Sequence, residues 1–96
     1  MRDITTALTA GADAVKVFPS EQFGPAYIKT LKETHAGGDL FPIGGVTPMT
    51  IAEYLRAGAT AAFAGSSLID DDALRERRWS QITERAQMFI RATDSI

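Results

Sequence analysis

Two stretches constrain this chain more than any others: "AGADAVKVF", which begins at Ala10, and "AGATAAFAG", which begins at Ala57. In each, a helical pattern runs into a glycine and a short apolar segment follows two residues later. Gly11 and Gly58 stand where a helix-ending glycine belongs, because the left-handed backbone there is free of steric cost only without a Cβ. The stretches are 47 positions apart, room for two helix–strand units. "LFPI", residues 40–43, is a further short apolar run between them. Strands separated by helices with short connections specify a parallel sheet. The order reads α-β-α-β-α-β-α, with strands over "DAVKVF", "LFPI" and "ATAAFA".

The helices have their own signals. Ile4, Ala7 and Leu8 fall at helical spacing in the first. Pro25 suits the first turn of the second, whose apolar face is Tyr27, Ile28 and Leu31. Thr47 is a natural N-cap with Pro48 behind it, and Ile51, Ala52 and Leu55 form the next stripe. "GSSLIDDD" leads to a last helix with the stripe Trp79, Ile82, Ala86, Phe89 and Ile90. The aspartates at 70–72 sit near its N-terminal end, where negative charge is favoured. Trp79 reads as a packing residue.

Composition excludes several functions. Ninety-six residues support one modest domain, residues 1–96, with a limited core. A net charge of -2 leaves no broad basic surface for nucleic acid. Without cysteine the chain has no disulfide and no thiolate metal site. A lone histidine, His35, rules out a multi-histidine metal centre and a serine–histidine triad within the chain. "MRDITTALTA" lacks the apolar core of a signal peptide, and no run reaches membrane-span length. A cytoplasmic location is expected.

Lys16 interrupts an apolar strand. Side chains alternate along a strand, so Ala14, Lys16 and Phe18 share one face and Val15 and Val17 the other. In a (β/α) barrel helices cover the outer face, so Lys16 points inward. An inward lysine loses hydration, which makes its neutral amine accessible. A neutral amine beside a carbonyl forms a Schiff base, an electron sink for making or breaking a carbon–carbon bond. Lysines near strand ends also snorkel to solvent or pair with a carboxylate. From "AVKVF" alone both uses stay open.

"IGGVTP" and "AGSSL" end the second and third strands with glycines. Glycines there let backbone N–H groups approach an anion, and the Ser66 and Ser67 hydroxyls add donors. Barrel enzymes often build a phosphate site from the loops after the last two strands. A tight turn explains either loop alone; the pair, in this order, favours phosphate. His35 in a helix-exit loop and "RERR" at 75–78 read as solvated, and Glu21 as a turn residue or a substrate contact.

Taken together, "AVKVFPSEQFGPAYIKTLK", "PIGGVTP" and "AGSSLI" resemble the 2-keto-3-deoxy-6-phosphogluconate aldolase family, which includes the phosphogalactonate and 4-hydroxy-2-oxoglutarate aldolases. The resemblance runs from Asp3 to about Ile69. It implies a class I aldolase on a (β/α)8 barrel, usually a homotrimer, without a metal, and no cofactor is expected. It implies cleavage of a phosphorylated 2-keto-3-deoxy sugar acid to pyruvate and glyceraldehyde 3-phosphate. By position, Lys16 matches the Schiff-base lysine and Phe18 an aromatic residue of the substrate pocket. Gly44 and Gly45 match the first phosphate loop, and Ser66 after Gly65 the second. Ile43 departs from the pattern, since phosphogluconate enzymes usually carry threonine there, beside the pyruvate carboxylate. Relatives acting on the galactonate epimer can carry an aliphatic residue.

A complete barrel needs about 200 residues or more. The expectation is therefore a partial barrel with three parallel strands, equivalent to strands 6–8, in a truncated or split chain. No residue here matches the family's acid–base glutamate on an early strand. Loss of such a group costs roughly 10²–10⁴ in rate, so little activity is expected of the chain alone. Two alternatives stand beside this reading. One is another phosphate-binding barrel enzyme, an isomerase or phosphosynthase, in which Lys16 acts electrostatically. The other is a non-catalytic half-barrel that serves as an assembly module.

Overall fold

The computed structural model describes residues 2–35, 37–94 and 96. Five α-helices and two strands follow in the order α1 (Arg2–Thr9), β1 (Ala14–Val17), α2 (Gly24–Thr34), β2 (Asp39–Pro42), α3 (Ile51–Arg56), α4 (Asp71–Arg75) and α5 (Trp79–Thr93). A 3-10 turn at Ser20–Gln22 lies between β1 and α2. The strands pair in parallel, with Lys16 opposite Phe41 and Val17 opposite Pro42.

Both glycines of the repeated stretch end helices as expected. Gly11 has φ 92° and Gly58 φ 116°. The following amide reaches back five residues in each case, from Ala12 to the Ala7 carbonyl at 3.0 Å and from Ala59 to the Tyr54 carbonyl at 3.1 Å. These bonds satisfy carbonyls that the helix end would otherwise orphan. Thr47 caps the turn before α3 rather than the helix itself, whose N-cap is Thr50 and whose first residue is Ile51, so Pro48 is not at its first position. Thr47 Oγ1 accepts from the Met49 and Thr50 amides, both at 3.2 Å, in the turn that leads into α3.

Alternation decides the two faces of the sheet. Val17, Leu40 and Pro42 are buried and Val15 is half-buried, whereas Lys16 is exposed. Val17 and Leu40 join Ile4, Leu8, Ile28, Leu31, Val46, Tyr54, Ala59 and Phe89 in one core beneath the helices. Burying a side chain of this size contributes roughly 1.5–3 kcal/mol.

Three further expectations need correction. "ATAAFA" does not form a regular third strand among the described residues. It meets β2 through an isolated parallel bridge, Ile43 with Phe63, and through amide bonds from Thr60 to Leu40 and from Phe63 to Pro42. Alanine is a poor strand former with little side chain to pack across a ladder, and residues 59, 61, 62 and 64 are all alanine. The last helix is two helices. Arg77, at φ 57°, breaks the chain between α4 and α5, and the aspartates at 70–72 head the short α4. "RERR" therefore spans this break, with ion pairs from Arg75 to Asp72 and from Arg78 to Glu76. Trp79 and Ile90 are not packing residues, being 56% and 62% exposed. Phe89 alone of the proposed stripe is buried.

Candidate active site

Three chain segments end side by side: β1, β2 and the segment carrying Phe63. Ile43 sits at their meeting point. Its amide donates to the Val17 carbonyl at 2.9 Å, and its carbonyl accepts from the Ser20 amide at 2.7 Å. Parallel pairing puts all the segments' C-terminal ends at one edge, so the loops after them cluster there.

Lys16 lies on the helix-free face of the sheet, as alternation requires. It is in register with Phe41, and its Nζ stands 5.9 Å from the centre of the Phe63 ring. A cation at that distance is attracted by the ring face. Phe41 and Phe63 pack with their centroids 5.9 Å apart. Phe18, just past β1, is 61% exposed. The expected burial of Lys16 does not hold: the described residues leave it exposed. Facing the barrel side desolvates a lysine only when further strands close over that side.

The glycines divide into two kinds. Gly44 and Gly45 have φ 96° and 68°, which side chains rarely adopt. A Cβ on Gly45 would lie 2.6 Å from Glu21 Cβ, and one on Gly44 would lie 2.7 Å from Glu21 Oε2. The fold itself therefore demands both. It also sets the Glu21 carboxylate against this loop. Gly65 differs. Its φ is not positive, and a Cβ there would meet nothing within 4 Å among the described residues. Among those residues, neither backbone nor packing calls for glycine at 65. Ser66 beside it is exposed.

A hydrogen-bond network outside the sequence expectations holds these loops together. Ser20 Oγ donates to the Gly44 carbonyl at 2.5 Å, and buried Tyr54 Oη donates to the Ser20 carbonyl at 3.1 Å. Ser67 Oγ donates to the Val46 carbonyl, and Arg85 Nε donates to the Ser67 carbonyl at 2.7 Å. Ser67 thus spends its hydroxyl on the fold rather than offering it to an anion. His35 bridges helix ends, its Nδ1 2.9 Å from Thr34 Oγ1 and its Nε2 3.4 Å from Thr9 Oγ1. Among the described residues no group of three His, Asp or Glu side chains could hold a metal ion, and no helix is long and apolar enough to cross a membrane.

A model of the KDPG and KHG aldolases matches residues 1–85. The chain belongs to the KDPG and KHG aldolase family. It is 42% identical over 88 residues to the 2-dehydro-3-deoxy-6-phosphogalactonate aldolase of Escherichia coli (strain K12), covering 91% of this chain and 41% of that protein. It is 32% identical over 80 residues to the 2-dehydro-3-deoxy-phosphogluconate aldolase of Haemophilus influenzae, covering 82% of this chain and 38% of that one. A solved structure described as native KDPGal superposes with a TM-score of 0.78 at 38% identity, over 98% of this chain and 44% of that chain. The α/β fold is similar to that structure, and the chain spans about two fifths of the length of the relatives it matches. Those relatives are aldolases, which are lyases.

Proposed function

We propose that this chain carries the Schiff-base lysine and the phosphate-binding loops of a class I aldolase acting on a phosphorylated 2-keto-3-deoxy sugar acid. The observation that carries the reading is the placement of Lys16. It stands on the helix-free sheet face, in register with Phe41 and over Phe63, next to the edge where the glycine loops gather. Gly65, glycine without a structural demand for it, supports phosphate binding at the second loop.

In this reading the neutral Lys16 amine adds to the C2 carbonyl, and loss of water leaves an imine. A base removes the C4 hydroxyl proton and the C3–C4 bond breaks. Its electron pair passes into the protonated imine to give an enamine, and glyceraldehyde 3-phosphate departs. The enamine takes a proton at C3, and water then releases pyruvate and frees Lys16. The electron sink is the imine of the lysine itself, so the cycle closes without a cofactor. Phe18 lines the pocket and Ile43 borders the pyruvate carboxylate. Gly44, Gly45, Gly65 and Ser66 hold the phosphate at the far end. The base and the cover that desolvates Lys16 come from barrel strands beyond these residues, in a single-domain (β/α)8 barrel that trimerises in the cytoplasm.

An aliphatic Ile43 and the higher identity to the phosphogalactonate enzyme favour the galactonate-type substrate. The test is borohydride reduction of the chain with 2-keto-3-deoxy-6-phosphogalactonate or its gluconate epimer, read by intact mass. The galactonate epimer should give more adduct, and Lys16→Ala should give none. Equal adduct from both epimers would reject the substrate assignment.

A further inference from the structure

The structure assigns Arg85 a positioning role, one that deepens the aldolase reading and rests on it for its functional consequence. Arg85, on α5, is half-buried and donates from Nε to the Ser67 carbonyl at 2.7 Å. Ser67 donates in turn from Oγ to the carbonyl of Val46, the residue after Gly45. Two hydrogen bonds in series tie α5 to the loop after the third segment, and that loop to the loop after β2.

These are the two loops assigned to the phosphate. The second closes mostly on itself, since the Leu68 and Ile69 amides both donate to the Gly65 carbonyl at 2.9 Å. Among the described residues, the bonds through Ser67 are the hydrogen bonds that fasten this turn to its neighbours. An anion held by backbone N–H groups from two loops needs those loops at a fixed separation. A loop that must first be ordered takes that cost out of the affinity.

Geometry rather than charge carries the effect. Arg85 lines a groove of about 330 Å³ with Ser66, but Asp70 lines the same groove and offsets the cation. The planar guanidinium can direct one N–H at a carbonyl with little loss of freedom, which suits a tether.

The test uses the 96-residue chain, nitrogen-15 labelled, beside Arg85→Gln and Arg85→Lys. A hydrogen bond from a charged donor supports a change of about tenfold or more. In Arg85→Gln the Leu68 and Ile69 amides should exchange about tenfold faster. The Ile43 amide, bonded to Val17, should keep its rate. Arg85→Lys, which can still donate to the carbonyl, should recover part of the protection. Inorganic phosphate should shift the Gly65 and Ser66 amides of the parent chain and bind Arg85→Gln about tenfold more weakly. Unchanged Leu68 and Ile69 exchange in Arg85→Gln, or an equal acceleration at Ile43, would overturn the tether. Equal phosphate affinity in parent and Arg85→Gln would overturn its consequence for binding. A parent chain whose Gly65 and Ser66 amides ignore phosphate would reject the phosphate reading, and the exchange rates would then decide the tether alone.

Discussion

At the scale of single residues, glycine and tyrosine separate binding from folding. Gly65 has an ordinary backbone and open space where a Cβ would go. Gly65→Ala should therefore leave stability unchanged or raise it by up to about 1 kcal/mol, through the unfolded chain. The same methyl should weaken binding of inorganic phosphate, and an amide-shift titration beside a thermal melt reads both. The two tyrosines of the core make an opposite pair. Tyr54 Oη donates to the carbonyl of fully buried Ser20, which the Phe23 amide also reaches at 3.0 Å, so Tyr54→Phe removes one of two bonds and should cost about 0.5–1.5 kcal/mol. Tyr27 Oη is buried and finds no partner among the described residues. Tyr27→Phe should be neutral or stabilising in denaturant melts. Burial also pushes the Tyr27 phenol above its ordinary value near 10. The folded chain then holds that proton where the unfolded chain has lost it. The contribution is fully present below the ordinary value and is lost as pH climbs through the raised one. An alkaline melt series should show this loss in the parent and not in Tyr27→Phe.

At the scale of elements, the legible parts were those with a local cause. Gly11 and Gly58 mark helix ends because a left-handed residue is a property of one position. Alternation put Lys16 opposite Val15 and Val17 because the strand period is two. "ATAAFA" misled because it copies the place of "DAVKVF" in the repeat but not its β-branched valines. The break at Arg77 was hidden because arginine carries no signal for a left-handed turn. The loop network left no periodic trace either, since its bonds join residues 18 to 34 positions apart. The repeat itself can be tested. At Gly58 a Cβ would lie 2.7 Å from Lys32 Cγ, whereas at Gly11 it would meet nothing within 4 Å among the described residues. Both glycines have positive φ. Gly11→Ala should cost roughly 1–2 kcal/mol for the backbone alone. Gly58→Ala should cost more, and equal losses in denaturant melts would show that the Lys32 stem yields freely.

At the scale of the whole molecule, one sheet face is finished and the other is open. The helices cover Val17 and Leu40. The face with Lys16 exposes Phe63 at 48%, near an edge where Phe18 is also exposed. An exposed apolar face of this kind, centred on one cation, marks a surface suited to binding. The composition could not show this, because 45% apolar content serves a closed domain and an open piece equally well. The central claim is that Lys16 is the imine-forming amine. Borohydride reduction in the presence of pyruvate, followed by peptide mass mapping, tests it most directly. The account predicts a pyruvate-derived adduct on Lys16 in preference to Lys29 and Lys32, and no such adduct in Lys16→Ala. Adducts spread evenly over the three lysines, or none on Lys16 in the folded chain, would contradict it.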